Sequence, residues 1–201
     1  MPRTFQSRES RLRRHAGRGA PPTERRRGSR VRRRRALLAA VAVLAAGYLA
    51  VTVAFFVEPT MGAVARPQAV VVLDGFGDRD ARGFAVARAD HVRTVAVSWP
   101  PYSTCPAPPS GLRVLCFVPH PASTRGEARV IARLARSHGW SRLVVVAGTT
   151  QVVRARLYLE HYYPGHVAYS GVDPTGVSGW LYQIVYGQGG LVKALFCRSA
   201  C

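Results

Sequence analysis

Residues 36–57 read ALLAAVAVLAAGYLAVTVAFFV, and none of these twenty-two residues is charged. A helix rises about 1.5 Å per residue, so the stretch reaches about 33 Å, and the hydrocarbon core of a bilayer is about 30 Å thick. A helix in the core of a soluble protein normally keeps a polar stripe, which this stretch lacks. The sequence therefore predicts one transmembrane helix over residues 36–57.

The segment before this helix is strongly basic. Residues 1–35 contain fourteen arginines and two glutamates, and Gly, Ser and Pro fill much of the remainder. Like-charged sequence that is poor in apolar residues does not collapse, so we predict a disordered tail. Phosphate contacts with nucleic acid are one use for such a tail. Because Phe5 is its only aromatic residue, we consider nucleic acid unlikely and favour a role of the tail in membrane topology, helped by attraction to anionic headgroups. The expected lipid partner is contacted through the transmembrane helix.

The basic tail also predicts the orientation of the chain. Lys and Arg beside a span stay in the cytoplasm, so we expect a single-pass protein of the cell membrane with an extracytoplasmic C-terminal domain. Residues 63–65 have the small-x-small form of a signal-peptide cleavage site, but the apolar stretch is longer than a signal-peptide core. We therefore predict an uncleaved signal anchor, a linker at residues 58–67 and one domain at residues 68–201.

Four cysteines lie beyond the predicted span, and none forms a Cys-x-x-Cys pair. Their spacing is not that of a zinc site. In an extracytoplasmic domain disulfides are expected, and four cysteines allow three pairings. Cys105 with Cys116 would close a Pro-rich loop at residues 100–111, and Cys197 with Cys201 would tie down the C-terminus.

Residues 68–201 alternate between two patterns. Short apolar runs suit strands that are covered on both faces, at residues 69–73, 94–97, 114–118, 143–147 and 167–169. Between them lie stretches with helical spacing, at residues 80–89, 127–137, 152–162 and 178–196, and the last is interrupted by glycines. This alternation predicts an α/β fold with a Rossmann-like, mostly parallel sheet and flanking helices, preceded by the transmembrane helix.

In such a sheet, ligands bind at the carboxyl ends of the strands. Asp74 and Gly75 follow the first predicted strand. Gly75 lets the backbone approach a ligand closely, and Asp74 either binds a hydroxyl or a cation or accepts amide hydrogens from its own turn. The sequence leaves both interpretations of Asp74 open.

Ser123, Thr124 and Glu127 form a second candidate site, at the start of a predicted helix. Thr124 and Glu127 have the spacing of a capping box, in which each side chain accepts a hydrogen bond from the backbone amide of the other. The same helix start favours an anion, which Ser123 and Arg125 would contact. On chemistry alone the sequence favours the cap.

Thr149, Thr150 and Arg154 follow the fourth predicted strand. Thr149 or Thr150 is predicted to cap the next helix, and Thr149 is also a candidate ligand contact. Arg154, one turn into that helix, would grip an anion with two parallel hydrogen bonds or would simply be solvated.

These residues together resemble the YdcF/SanA-like family, also known as the DUF218 domain. The resemblance rests on the strand ending at Asp74, the Ser-Thr-x-x-Glu at residues 123–127 and the strand before Arg154. It covers roughly residues 68–170. It implies a Rossmann-like domain, often behind one membrane span, with links to envelope integrity and cell-wall precursors. The family as a whole has no established reaction.

The chain departs from the family pattern at three positions. Asp74 replaces a usual glycine, Ser98-Trp99-Pro100 replaces a Ser-Gly-Gly turn, and Gln151 stands where many members have histidine. Gln151 cannot serve as a general base at neutral pH. If the histidine is catalytic in relatives, this chain is an altered or inactive member.

The sequence indicates no cofactor and no metal, because the histidines lie apart without a ligand spacing. Two functions remain. In the first, the domain binds or processes a phosphate-bearing ligand, either an anionic small molecule or a lipid-linked one. In the second, it is a non-catalytic, membrane-anchored scaffold of the envelope.

Overall fold

The computed structural model describes residues 22–99 and 104–196, and residues 22–30 by their backbone alone. The chain divides between Tyr48 and Leu49 into two compact units. The first unit is helical where it is described, and the second contains a five-stranded sheet with flanking helices.

The first helix, α1, spans Pro22–Thr52 and continues into a π-helical turn at Val53–Val57. The segment Val31–Val57 is long and apolar enough to cross a membrane, although a signal sequence near an N-terminus has the same length and composition. The disorder predicted for residues 1–35 is wrong for residues 22–35. Arginine is a good helix former, and each residue added to an existing helix gains one hydrogen bond. Residues 1–21 lie outside the described residues.

The second unit alternates strands and helices as predicted. Its strands are β1 (Ala69–Val72), β2 (Thr94–Ser98), β3 (Arg113–Phe117), β4 (Arg142–Gly148) and β5 (His166–Val172). Its helices are α2 (Arg79–Ala89), α3 (Thr124–His138), α4 (Val152–Tyr162) and α5 (Gly176–Phe196), with a 3-10 turn at Thr149–Gln151 before α4. The glycines of α5 suggested two shorter helices, but α5 is one continuous helix, so this prediction is wrong. Gly187 and Gly190 lie where the helix packs closely against neighbouring elements.

All four strand pairings in the described sheet are parallel, and the order is β3-β2-β1-β4-β5. The predicted Rossmann-like α/β fold is therefore confirmed. β1 is buried along its whole length, and its side chains alternate between two cores. Val70 and Val72 pack on the α2 side, whereas Val71 and Leu73 pack with α3 and α4. This arrangement explains why the strand is apolar at every position.

The predicted linker belongs to the second unit, which begins at Leu49. The amide of Tyr169, in β5, donates a hydrogen bond of 2.7 Å to the carbonyl of Met61. The guanidinium of Arg156 donates to the carbonyl of Thr60. The boundary predicted at residue 68 is therefore too late, because these long-range backbone contacts hold the segment against the sheet.

Cys105 and Cys116 form a disulfide, with their Cα atoms 6.0 Å apart. This confirms one of the pairings that the sequence allowed. The bond ties the described part of the predicted loop, residues 104–111, to β3. Cys197 and Cys201 lie outside the described residues, so their predicted pairing stays a prediction.

Candidate functional site

The strand order reverses at β1, since β2 and β3 lie on one side of it and β4 and β5 on the other. At such a switch point the carboxyl ends of the strands open a crevice. A cavity of about 290 Å³ lies there. Side chains that bring charge or hydrogen-bonding groups to its lining include Asp74, Arg79, Glu127, Gln151, Arg154 and Tyr186.

The structure brings most of the predicted site residues together. Those that line the cavity are Asp74, Gly75, Ser123, Thr124, Glu127 and Arg154. Thr149 is the exception, because its hydroxyl donates a 2.5 Å hydrogen bond to Asp173 at the end of β5. Thr150 lines the cavity instead. The predicted helix cap is also wrong, since neither the turn at Thr149–Gln151 nor α4 has a side-chain cap in this described segment.

Arg79, which the sequence analysis did not select, organises the β1 side of the cavity. It is the first residue of α2 and only 6% of its surface is exposed. Its Nη1 donates to the carbonyl of Asp74 at 2.6 Å and to Oε1 of Gln151 at 2.7 Å, and its Nε donates to the carbonyl of Phe76 at 2.9 Å. The guanidinium therefore holds the turn after β1 in place.

The role of Gly75 follows from Arg79. Gly75 has a φ of +143°, and a Cβ added there would lie 2.5 Å from Nη2 of Arg79. A Cβ at Gly148 would lie 2.8 Å from the same atom. The sequence predicted that Gly75 would let a ligand approach the backbone closely. In the structure, the absence of a side chain at Gly75 makes room for the guanidinium of Arg79.

Burial lowers the pKa of Arg79 below its ordinary value, while the negative charges of Glu127 and Asp74 raise it and the positive charge of Arg154 lowers it further. Arginine stays charged at any ordinary pH, so the crevice contains a buried cation that interacts electrostatically with two carboxylates and a second cation. Such a charge is tolerated because Arg79 donates to several acceptors at once.

Glu127 does not act in the predicted capping box. The N-cap of α3 is Ser123, whose hydroxyl accepts a 3.2 Å hydrogen bond from the amide of Gly126. The Glu127 carboxylate, 3% exposed, instead accepts a 2.8 Å hydrogen bond from the amide of Asp74. The predicted capping box is wrong because Glu127 lies on the side of α3 that faces the end of β1. There the amide of Asp74, which is distant in the sequence, needs an acceptor.

Burial raises the pKa of Glu127 above its ordinary value. The Ser98 hydroxyl and the Asp74 amide lower that pKa, the Asp74 carboxylate raises it and Arg79 lowers it. Ser98 Oγ is nevertheless buried without a partner of hydrogen-bonding geometry among the described residues. Burial is the largest of these effects, so the protonated form of Glu127 is favoured relative to a solvated glutamate.

Gln151 joins the two halves of the crevice. Its Oε1 accepts from Arg79, and its Nε2 donates to Oγ1 of Thr124 at 3.2 Å. Both ends of the amide are therefore occupied by contacts that connect β1, α3 and α4. Gln151 therefore has a structural role here.

Arg154 lies across the crevice from Arg79. Its guanidinium carbon is 5.5 Å from the centre of the Tyr186 ring, on α5. Its Nε is buried and has no hydrogen-bond acceptor among the described residues. Gly190 makes room for the guanidinium, since a Cβ there would overlap Nη1. The described part of the protein therefore leaves at least one hydrogen-bond donor of Arg154 unused.

One signal could have identified Arg79 from the sequence. A basic residue in the first turn of a helix faces the positive end of the helix dipole and is unfavourable there unless it has another partner. Arg79 directly follows the Gly-x-Gly turn at residues 75–77 and an N-cap at Asp78. Tyr186 had no comparable signal.

Across residues 22–99 and 104–196, no three His, Cys, Asp or Glu side chains come together in a group that could hold a metal ion. The expectation of no metal site stays a prediction. His120 is exposed in the loop after β3 and lines a different depression, beside α3.

Comparisons with protein-family models, with curated proteins and with solved structures found no match to this chain. The resemblance to the YdcF/SanA-like family therefore depends on the residues named above.

Proposed function

We propose that this chain is a membrane-anchored envelope protein of YdcF/SanA (DUF218) type whose α/β domain binds, and in an active form would process, a phosphate-bearing ligand at the switch point of its sheet. The observation that carries the proposal is Arg154, a guanidinium with a buried Nε that has no acceptor among the described residues. Burying a polar group without a partner is costly. A ligand oxyanion would supply the missing acceptor.

The surroundings of Arg154 support an anion. The N-terminus of the fifteen-residue helix α3 faces the same cavity, and helix N-termini favour negative charge. Arg79 adds a second positive charge nearby. The carboxylates of this lining are Asp74 and Glu127, and burial raises the pKa of Glu127, which weakens the negative charge that opposes the two guanidiniums.

Two observations support the anchored, extracytoplasmic arrangement. Basic residues 25–27 and 32–35 lie directly before the uncharged residues 36–57 and would be retained in the cytoplasm. The disulfide between Cys105 and Cys116 fits an oxidising compartment on the other side. A topology reporter fused to the C-terminus should be active only outside the cytoplasm, and cytoplasmic activity would contradict the arrangement.

Binding is tested with the full chain in lipid nanodiscs. Inorganic phosphate, pyrophosphate and a polyprenyl phosphate are titrated separately, which distinguishes a free anion from a lipid-linked one. We expect at least one of them to bind, with affinity lost in Arg154→Gln and kept in Arg133→Gln, since Arg133 is exposed on α3. Equal affinities in both variants would contradict the proposed site.

The second candidate is a non-catalytic scaffold, and Gln151 favours it. Its amide is fully engaged by Arg79 and Thr124, and it cannot act as a base. Complementation of a deletion strain with the Asp74→Ala, Glu127→Ala double variant separates the two functions. Rescue by a stably expressed double variant supports the scaffold, whereas loss of rescue supports the ligand site.

A further inference from the structure

Helix α5 carries an apolar face that no other described residue covers. Its members, spaced as one side of a helix, are Val177, Leu181, Val185, Val192 and Leu195. Each is more than half exposed, from 54% for Val192 to 78% for Val177. Contiguous apolar surface of this kind normally marks an interaction site.

Helix α5 also packs against the end of the apolar N-terminal segment. A Cβ at Gly187 would lie 3.1 Å from the ring of Phe56, so the two elements are in close contact. Gln188 Nε2 donates to Oγ1 of Thr52 at 3.4 Å. Gln188 lies seven residues from both Leu181 and Leu195, so it is on the same side of α5 as the apolar face, and the Thr52 contact adjoins that face.

The edge of the apolar face has the chemistry of a membrane interface. Tyr182 and Tyr186 are exposed there and stack with ring centres 6.2 Å apart. Lys193 is the only charged residue of α5 and is exposed near the same edge. Helices that lie in the headgroup region combine an exposed apolar face with aromatic and basic residues at its border.

We propose that the apolar face of α5 lies in the headgroup and acyl-chain boundary of a lipid bilayer, so that this helix is a second membrane contact of the protein. The inference rests on the anchorage proposed above, because the segment that α5 contacts, at Thr52 and Phe56, is the end of Val31–Val57. A bilayer crossed by Val31–Val57 would end near Val57. Because α5 contacts Thr52 and Phe56, it would lie at that surface of the bilayer. Lys193 would face anionic headgroups.

The test places the photo-cross-linking residue p-benzoylphenylalanine at Val185, at the centre of the face, in the full chain in nanodiscs of phosphatidylethanolamine and phosphatidylglycerol. A probe at Leu44 reports the apolar segment, and a probe at the exposed Arg133 is the matched surface control. A probe at Leu181, one turn earlier on the same face, gives an independent measurement. Lipid adducts are quantified by mass spectrometry.

We expect lipid adducts at Val185 and Leu181 in several-fold higher yield than at Arg133. Adducts at Leu44 but not at Val185 or Leu181 would overturn the inference and leave the anchorage intact. Absence of lipid adducts at Leu44 as well would overturn both. A cross-link between two copies of the chain at Val185, in place of lipid, would overturn the inference in favour of a homodimer interface.

Discussion

The β1 side and the α4 side of the crevice each present an arginine, and the two differ in how the protein satisfies them. Arg79 donates to three backbone carbonyls and to Gln151, and it is almost fully buried. Arg154 stacks on Tyr186, and its buried Nε lacks an acceptor among the described residues. A cation whose donors are used by the protein serves the fold, and one whose donors are left unused is available to a ligand.

The largest effect is expected from Arg79→Met. The variant removes the donor that holds the turn after β1 and leaves Glu127 without its neighbouring cation. Breaking a buried charged network from one side costs about 3 to 5 kcal/mol. Denaturant unfolding of the full chain in nanodiscs measures this cost. The exposed control Arg133→Met should stay within about 0.5 kcal/mol of wild type. An unchanged free energy of unfolding in Arg79→Met would contradict the proposal that Arg79, unlike Arg154, stabilises the fold.

The next effect concerns the loop before β3. The Cys105→Ser, Cys116→Ser double variant opens a loop whose ends are 11 residues apart, and the chain-entropy estimate puts the loss at about 2 to 3 kcal/mol. The unfolding free energy of the double variant measures this loss. Cys197 and Cys201 remain in this variant, so it isolates one bond. An unchanged unfolding free energy would show that the loop needs no cross-link.

A smaller effect is expected from Glu127, and it depends on pH. Burial raises the pKa of Glu127 in the folded state, so the folded protein binds this proton more tightly than the unfolded chain does. Stability from this group is therefore full below the unfolded pKa, ordinarily near 4.5, and is lost as pH rises through the folded pKa. The unfolding free energy of wild type should fall relative to that of Glu127→Gln over this range.

The matched control for this pH dependence is Asp90→Asn, at the exposed C-cap of α2. An equal slope in the difference between wild type and Asp90→Asn would show that the pH dependence does not come from Glu127. If the Glu127→Gln difference is also flat from pH 4 to 8, the carboxylate gains no proton affinity on folding, and the charge balance of the crevice must be revised.

The sheet could be predicted from the sequence because each strand is marked by a continuous apolar run, which is a local pattern. A run such as Val70 to Leu73, apolar at every position, is compatible with few environments other than a strand between two layers. The apolar segment near the N-terminus follows from composition in the same way. The crevice at the carboxyl strand ends then follows from the parallel topology.

The contacts within the crevice could not be predicted in the same way. Glu127 has a capping-box spacing, but its partner is an amide 53 residues away in the chain. Arg79 binds Gln151, 72 residues away, which is a pairing that only the assembled sheet creates. The segment at residues 58–67 looked like a linker because its contacts are to distant backbone, as in the bond from Tyr169 to Met61. Local sequence patterns specify local partners, and these contacts are all long-range.

The most direct test compares Arg154→Gln with Arg133→Gln in the full chain, measuring the dissociation constant for pyrophosphate and the free energy of unfolding of both. Losing a hydrogen bond to a charged group costs about 1.5 to 3 kcal/mol, so Arg154→Gln should weaken binding by about tenfold or more. Its stability should fall by no more than about 1 kcal/mol, because the variant loses the stacking on Tyr186 but Nε of Arg154 has no protein acceptor to lose among the described residues. Unweakened binding, or a loss of stability equal to that of Arg79→Met, would contradict the assignment of Arg154 to a ligand.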